Sequence, residues 1–230
     1  MPENVSALQL VLAGDPALYA IVRLSLIVSL SAVLLAALVG LPFGAWLALS
    51  RFRGREGAIV ILNALMGLPP VVVGLLVFLL LSRSGPLGSW GILFTPQAMI
   101  VAQTILIAPI IAALARQTIE DLWLEYRDEL QAMNVGTLGS VVTLLWDGRF
   151  SLLTALLAGF GRAAAEVGAV IIVGGNIDGF TRTMTTAIAL ETSKGDLPLA
   201  IGLGMILIVI VVLVNAAAWG TRRFGERMAG

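Results

Sequence analysis

Cysteine and histidine are both missing from the chain. Without them there is no disulfide framework, no thiol nucleophile, no imidazole for acid–base chemistry and little with which to hold a transition metal. Charge is scarce as well. Asp, Glu, Lys and Arg make up 12% of the 230 residues, about half of the roughly 25% in an ordinary soluble domain. No basic cluster is large enough to follow a phosphate backbone, so nucleic acid is not an expected partner. No Gly-x-x-x-x-Gly-Lys-[Ser/Thr] occurs, so the chain does not cradle nucleotide phosphates itself. No nucleophile–base pair points to an enzyme. A basic leader region is absent too: Glu3 and Asp15 precede the first apolar run, and no secretory signal is expected there.

What is present is apolar sequence in long pieces. Residues 24–50, 57–82, 84–115 and 197–221 contain no charged side chain, and 150–177 is interrupted only by Arg162 and Glu166. Each piece reaches the roughly 20 residues with which a helix crosses a bilayer core, whereas a barrel would show alternating segments of about ten. The expected class is therefore an all-α membrane protein. It forms one domain over 1–230, with five spans at about 17–50, 57–82, 97–117, 150–176 and 198–220. The stretch 84–96, rich in Gly, Pro and Ser, is a loop with Trp90 as an interfacial anchor. Within the second span, Pro69 and Pro70 remove helix donors and interrupt the helix. Such a break survives in lipid only where protein or a cavity covers the freed backbone.

Basic residues set the orientation. Arg51, Arg53, Arg55, Arg116, Arg127, Arg149, Arg222, Arg223 and Arg227 gather on one side, against Arg83, Arg182, Lys194 and Arg23 on the other. The richer side is the cytoplasm. The N-terminus is then outside and the C-terminus inside, which an odd number of spans satisfies.

The longest cytoplasmic segment is about 118–149. Ile119, Leu122, Trp123, Tyr126, Leu130 and Met133 form one apolar helical stripe, and Glu120, Asp121, Glu125, Asp128 and Glu129 cover the rest. Glu120 and Asp121 suit a helix N-terminus. Gly136 and Gly139 end the pattern, and "SVVTLLW" resumes it. A solvated helix packed on the span ends and a docking site for a cytoplasmic partner both fit. A membrane-surface helix fits less well, because its acidic face would be repelled by anionic lipid.

This segment resembles the cytoplasmic loop of ABC-importer permeases, whose motif is Glu-Ala-Ala, three residues, Gly. In "ELQAMNVG", Gly136 matches the glycine and Ala132 the second alanine, with Glu129 one residue ahead of the glutamate position. The stretches "LSLIVSLSAVLLAALVGLPFGAWLALSRFRGRE", "LMGLPPVVVGLLVFLLLSRSGPLG" and "FGRAAAEVGAVIIVGGNIDGFTRTMTTAIAL" resemble the oxyanion permeases of this class, the molybdate, sulfate and tungstate branch. Residues from "TLLWDGRF" to "GGNI" are most similar to tungstate permeases. The resemblance implies a type I ABC-importer permease fold in the cytoplasmic (inner) membrane. It implies a homodimer with two cytoplasmic ATP-binding-cassette subunits and an extracytoplasmic oxyanion-binding protein. This chain would carry no cofactor, ATP and magnesium being bound by the ATPase. Transport would be by alternating access, with tungstate ahead of molybdate as substrate. The loop would insert into an ATPase cleft through Glu129, Ala132, Gly136, Thr137 and Gly139.

The charged pair in the fourth span is Arg162 with Glu166. Spaced by four, they share a helix face, in the less favourable order for a helix pair. Around them stand Gly159, Gly161, Ala163, Ala164, Ala165 and Gly168, and the spacings Gly161–Ala165 and Ala164–Gly168 let helix backbones approach closely. Three roles are open: a self-satisfying structural pair, a wall or gate of the translocation path, and a proton carrier. A proton carrier usually lacks a fixed counter-charge, and Glu166 has one a turn away. Pro69, Pro70 and Asn176 are assigned with the pair to the gate or pathway wall. Beyond the span, Thr181 and Arg182 stand among five threonines, at an outer pore mouth or in a helix shielding it. A different class, an ATPase-independent secondary transporter of a small anion, would show inverted repeats, and none is visible.

Overall fold

The computed structural model describes residues 16–229, with side chains described through Gly220. Glu3, Asp15 and the side chains of Arg222, Arg223 and Arg227 lie outside them. Among the described residues there are helices and no strand. In chain order they are α1 (Pro16–Leu49), α2 (Arg55–Met66), α3 (Pro70–Leu81), α4 (Pro96–Ala132), α5 (Thr137–Asp147), α6 (Arg149–Ala164), α7 (Gly168–Gly174), α8 (Met184–Lys194) and α9 (Leu197–Ala229), with one 3-10 turn at Gly88–Trp90. Three helices are long and apolar enough to cross a membrane, or up to five spans if the bent pairs α2–α3 and α5–α6 each count as one.

The helix ends and breaks each have a physical reason. The second apolar run is indeed interrupted at 67–69. Pro69 is extended at φ −65° and ψ 121°, and Pro70 opens α3 at its first position, where a missing N–H costs nothing. The third run does not stop where charge begins. Its helix, α4, continues for 37 residues, about 55 Å against a hydrocarbon core of about 30 Å. Arg116 and Glu120, paired at 2.5 Å one turn apart, mark where the apolar run ends without ending the helix. Glu120 and Asp121 therefore lie in the middle of a helix and not at an N-terminus. In the fourth run α6 ends at Ala164 and α7 begins at Gly168, so Glu166 sits in a break.

Contacts divide the chain into two compact units, each described by itself. One holds Pro69–Gln103, Gly161–Val214 and the chain through Ala32; the other holds Val33–Leu68, Thr104–Phe160 and the chain from Asn215. In the first, α3 and α7 approach closely: a Cβ on Gly74 would stand 2.8 Å from the Cα of Ala169, and one on Gly168 2.9 Å from a Val71 methyl. A second cluster joins Leu18, Met184, Ala187 and Leu203.

In the second unit, α1 lies against α4 at Gly40 and Gly44. A Cβ on Gly44 would reach 2.3 Å from the Ala112 carbonyl oxygen, closer than any side chain tolerates. Arg55, at the start of α2, donates to the Leu47 and Ala48 carbonyls at the end of α1 and also pairs with Glu120. It covers carbonyls that a helix terminus leaves free and places positive charge where the helix dipole favours it.

Gly44 is therefore the position where an added side chain does most harm. Gly44→Val is expected to destabilise the detergent-solubilised protein by about 3 kcal/mol, the upper range for overpacking. Gly57→Ala, with open space around it, is expected to be neutral or stabilising by about 0.5–1 kcal/mol. Thermal melts of the two variants check the contrast.

Candidate functional site

At the projecting end of α4 the expected apolar stripe is real, and most of it is used internally. Ile119 and Leu130 are buried with Ala45, Ala48, Val141 and Leu144, and Leu122, Trp123, Tyr126 and Val135 pack on the same cluster. Only Met133 of the stripe is widely exposed. The turn that follows is closed by Asn134 and not by a glycine. Asn134 takes a left-handed φ of 56°, its N–H donates to the Gln131 carbonyl at 2.9 Å, and the Val135 N–H donates to the Leu130 carbonyl at 3.0 Å. That is a Schellman stop, with the Val135–Leu130 apolar contact that usually accompanies it.

Gly136 has another duty. It is extended at φ −70° and ψ 166° and serves as the N-cap of α5. Gly139 faces Val135, whose methyl would stand 2.8 Å from an added Cβ. Glu129, Ala132, Gly136, Thr137 and Gly139 are all exposed around this turn, so the five predicted loop residues are brought together. The acidic surroundings act on Tyr126, whose phenol is held above its ordinary pKa, chiefly by the Glu125 carboxylate and then by Asp147.

Sequence reasoning missed the surface that this elbow presents. Leu138, Val142 and Trp146, at i, i+4 and i+8 of α5, are 79%, 62% and 71% exposed, while Ser140, Val141 and Leu144 fill its inner face. The resumed run "SVVTLLW" carried the signal: α5 is apolar on two sides and only one is covered. At Gly148 the chain turns by 78° into α6. Arg149 then lies over the rings of Trp146 and Phe150, 4.9 and 4.7 Å from their centroids.

The second site is the break between α6 and α7. Arg162 occupies the last turn of α6, and its Nη1 donates to Glu166 Oε2 at 2.5 Å. The other carboxylate oxygen accepts the Ala169 N–H at 3.1 Å, within the first turn of α7. The pair thus spans a helix end and a helix start, with the cation at a C-terminus and the anion at an N-terminus. Both dipoles are complemented, and the order that is poor inside one helix becomes favourable across a break. Thr185 donates to the Glu166 carbonyl at 2.8 Å, and Gln103 Nε2 donates to the Ala163 carbonyl at 3.2 Å. Glu166 is 4% exposed. The small residues divide in their use: Gly159 and Gly168 are tightly packed against Ile107 and Val71, while Gly161 has open space. Pro69 and Pro70 lie at the start of α3, of which Val71 is the second residue.

Beyond α7 the hydroxyls are committed to the fold. Thr181 is fully buried; its Oγ1 donates to the Gly174 carbonyl at 2.6 Å and accepts the Ile177 N–H at 2.9 Å. Thr183 and Thr186 form a capping box at the start of α8. Asn176 turns the chain at φ 49°, and its amide faces the Thr186 carbonyl at 3.5 Å. Arg182 pairs with Asp178 at 3.0 Å.

No family model matches the chain. It is 42% identical over 218 residues to a probable anion ABC transporter permease protein of Haloferax volcanii, covering 93% of each chain. It is 39% identical over 214 residues to the tungstate uptake system permease protein TupB of Peptoclostridium acidaminophilum, covering 93% of this chain and 94% of that one. It is 32% identical over 218 residues to the molybdenum transport system permease protein ModB of Azotobacter vinelandii, covering 89% and 94%.

The break yields a prediction that needs no transport assay. Glu166→Gln keeps an acceptor for Ala169 but strands Arg162, and is expected to cost about 2 kcal/mol, less than the 3–5 of a fully buried pair because Arg162 is part-exposed. Glu166→Ala also loses the cap, about 1 kcal/mol more. In Arg162→Gln/Glu166→Gln much of the loss should return. A thermal-melt double-mutant cycle reads the coupling, and additive effects would refute the bridge.

Proposed function

The chain belongs to the permease family of ATP-binding-cassette anion transporters, and on that premise we propose that it is the membrane subunit of an importer for tungstate or a related tetrahedral oxyanion such as molybdate. It is a multi-pass protein of the cytoplasmic membrane. Its working form is a homodimer with two cytoplasmic ATP-binding-cassette subunits and an extracytoplasmic oxyanion-binding protein. The N-terminus lies outside, the C-terminus inside, and the five spans are α1, the bent pair α2–α3, α4, the broken run α6–α7 and α9. ATP and magnesium are held by the ATPase, and this chain carries no cofactor.

One observation carries the reading: the exposed apolar face of α5, held on a stiff elbow. A helix 37 residues long reaches well past the bilayer, its end is locked by the Schellman stop, and Leu138, Val142 and Trp146 face outward. Such a face is a partner surface, and the acidic rim with Glu129 and the turn at Ala132, Gly136, Thr137 and Gly139 frames it. When ATP draws the two ATPases together, the elbows follow and the membrane helices open outward. The anion enters from its binding protein, and resetting releases it inward. Arg162 and Glu166, with Pro69, Pro70 and Asn176, form the wall that changes shape; Thr181 and Arg182 shape the outer end. Tungstate is preferred over molybdate on likeness to the tungstate uptake permease.

Trp146→Ala is expected to weaken capture of the ATPase subunit by about 30-fold, the equivalent of about 2 kcal/mol at an interface hot spot. Leu138→Asp should abolish substrate-stimulated ATP hydrolysis. Both variants should melt within about 0.5 kcal/mol of the parent, as exposed substitutions do. Unchanged coupling in either would remove α5 as the docking element. For the substrate, calorimetry of the partner binding protein with tungstate, molybdate and sulfate decides, and tightest binding of sulfate would contradict the assignment.

A further inference from the structure

A cavity of about 290 Å³ opens beside the first helix, lined by Ala20, Arg23, Leu24, Ile27, Phe180 and Arg182, with Asp178 at its edge. Its chemistry is two-sided. Arg23 is exposed and has neither an ion-pair nor a hydrogen-bond partner among the described residues. Arg182 pairs through Nη1 with Asp178, while its Nε is buried and has no acceptor. Two guanidinium groups against one carboxylate leave one net positive charge. Below Arg23 the character changes at once: Leu24 to Ser50 carry no charge, and Ile27 and Leu30 on the same helix are exposed.

Position and cost point the same way. Arg23 lies seven residues into α1, about 10 Å along its axis from Pro16. A helical side chain leans toward the N-terminus of its own helix, and a long cationic one extends its head to the interface. A cation at that depth is expensive unless paired, and its strongest pairings are charge-assisted bonds to phosphate or carboxylate. A charge of one sign set above an exposed apolar stripe is the imprint of an amphiphile.

We propose that this cavity binds an anionic phospholipid. Its phosphodiester sits between the Arg23 and Arg182 guanidinium groups, and an acyl chain lies along Leu24, Ile27 and Leu30. A net charge of minus one on the headgroup complements the site. A soluble oxyanion would satisfy the two arginines and leave the stripe unused. The site is separate from the α5 surface and does not depend on the transport substrate.

The test uses the full chain purified in detergent and placed in nanodiscs of phosphatidylcholine with phosphatidylglycerol at about 3:1. Native mass spectrometry of the released protein counts retained lipid. The parent is expected to retain phosphatidylglycerol about fivefold over its share of the bilayer, the size of one Lys/Arg attraction to anionic lipid. Arg23→Gln should abolish the preference and Arg23→Lys keep most of it. Millimolar tungstate or phosphate should displace nothing. Equal retention by Arg23→Gln would overturn the proposal. So would displacement by the soluble anions, which would make the cavity a free-anion site. An Arg23→Gln change in oligomeric state with unchanged lipid retention would also overturn it, by assigning the face to a second copy.

Discussion

A helix broken partway along an apolar run frees backbone groups that lipid does not satisfy, so protein or a lined cavity has to cover them. Glu166 does this at the junction of α6 and α7. One carboxylate oxygen takes the Arg162 guanidinium, the other takes a backbone amide of α7, and the Glu166 carbonyl takes the Thr185 hydroxyl. The Ala163 carbonyl, at the end of α6, accepts both the Glu166 N–H and the Gln103 amide. The close approach of α3 to α7 at Gly74 and Gly168 follows from where that short helix is held. Thr181 then secures its far end through the Gly174 carbonyl. The ionic bridge thus ties the end of α6 to the start of α7.

The elbow meets a different constraint. The docking proposed for it calls for a stiff element, and isolated short helices are marginal in water. Here the helix is not isolated. It is the continuation of a membrane helix, with its apolar stripe covered by α5 and the end of α1. Arg55 and Glu120 tie α1, α2 and α4 together at the level where the apolar runs end. A surface on α5 is thereby presented on a base that does not yield.

Much of this was legible from residue patterns alone. Long charge-free runs located helices apolar enough to cross a membrane, the two prolines located the interruption before α3, and the i, i+3, i+4 stripe found the helix from 119 to its end at Ala132. What the patterns misplaced were ends. Charge looks like the end of a span, yet Arg116 and Glu120 pair one turn apart and carry the helix onward. Glycine looks like a helix stop, yet Asn134 takes the left-handed position and Gly136 starts the next helix. Spacing by four made Arg162 and Glu166 look like neighbours on one helix, and the same spacing bridges two. The outward face of α5 was hard to read because a run that is apolar on both sides shows no amphipathic contrast. The threonines after the fourth span suited either an outer pore mouth or a helix shielding it, and Thr181, Thr183 and Thr186 are buried and engaged with the backbone or one another.

The account stands on ATP-driven movement of an oxyanion through this subunit. The most direct measurement is uptake of labelled tungstate into proteoliposomes holding the permease, its ATPase and its binding protein, with ATP supplied on the ATPase side. The account predicts accumulation that requires ATP and the binding protein and persists when ionophores collapse every ion gradient. Uptake that continues without ATP and stops with the ionophores would contradict it.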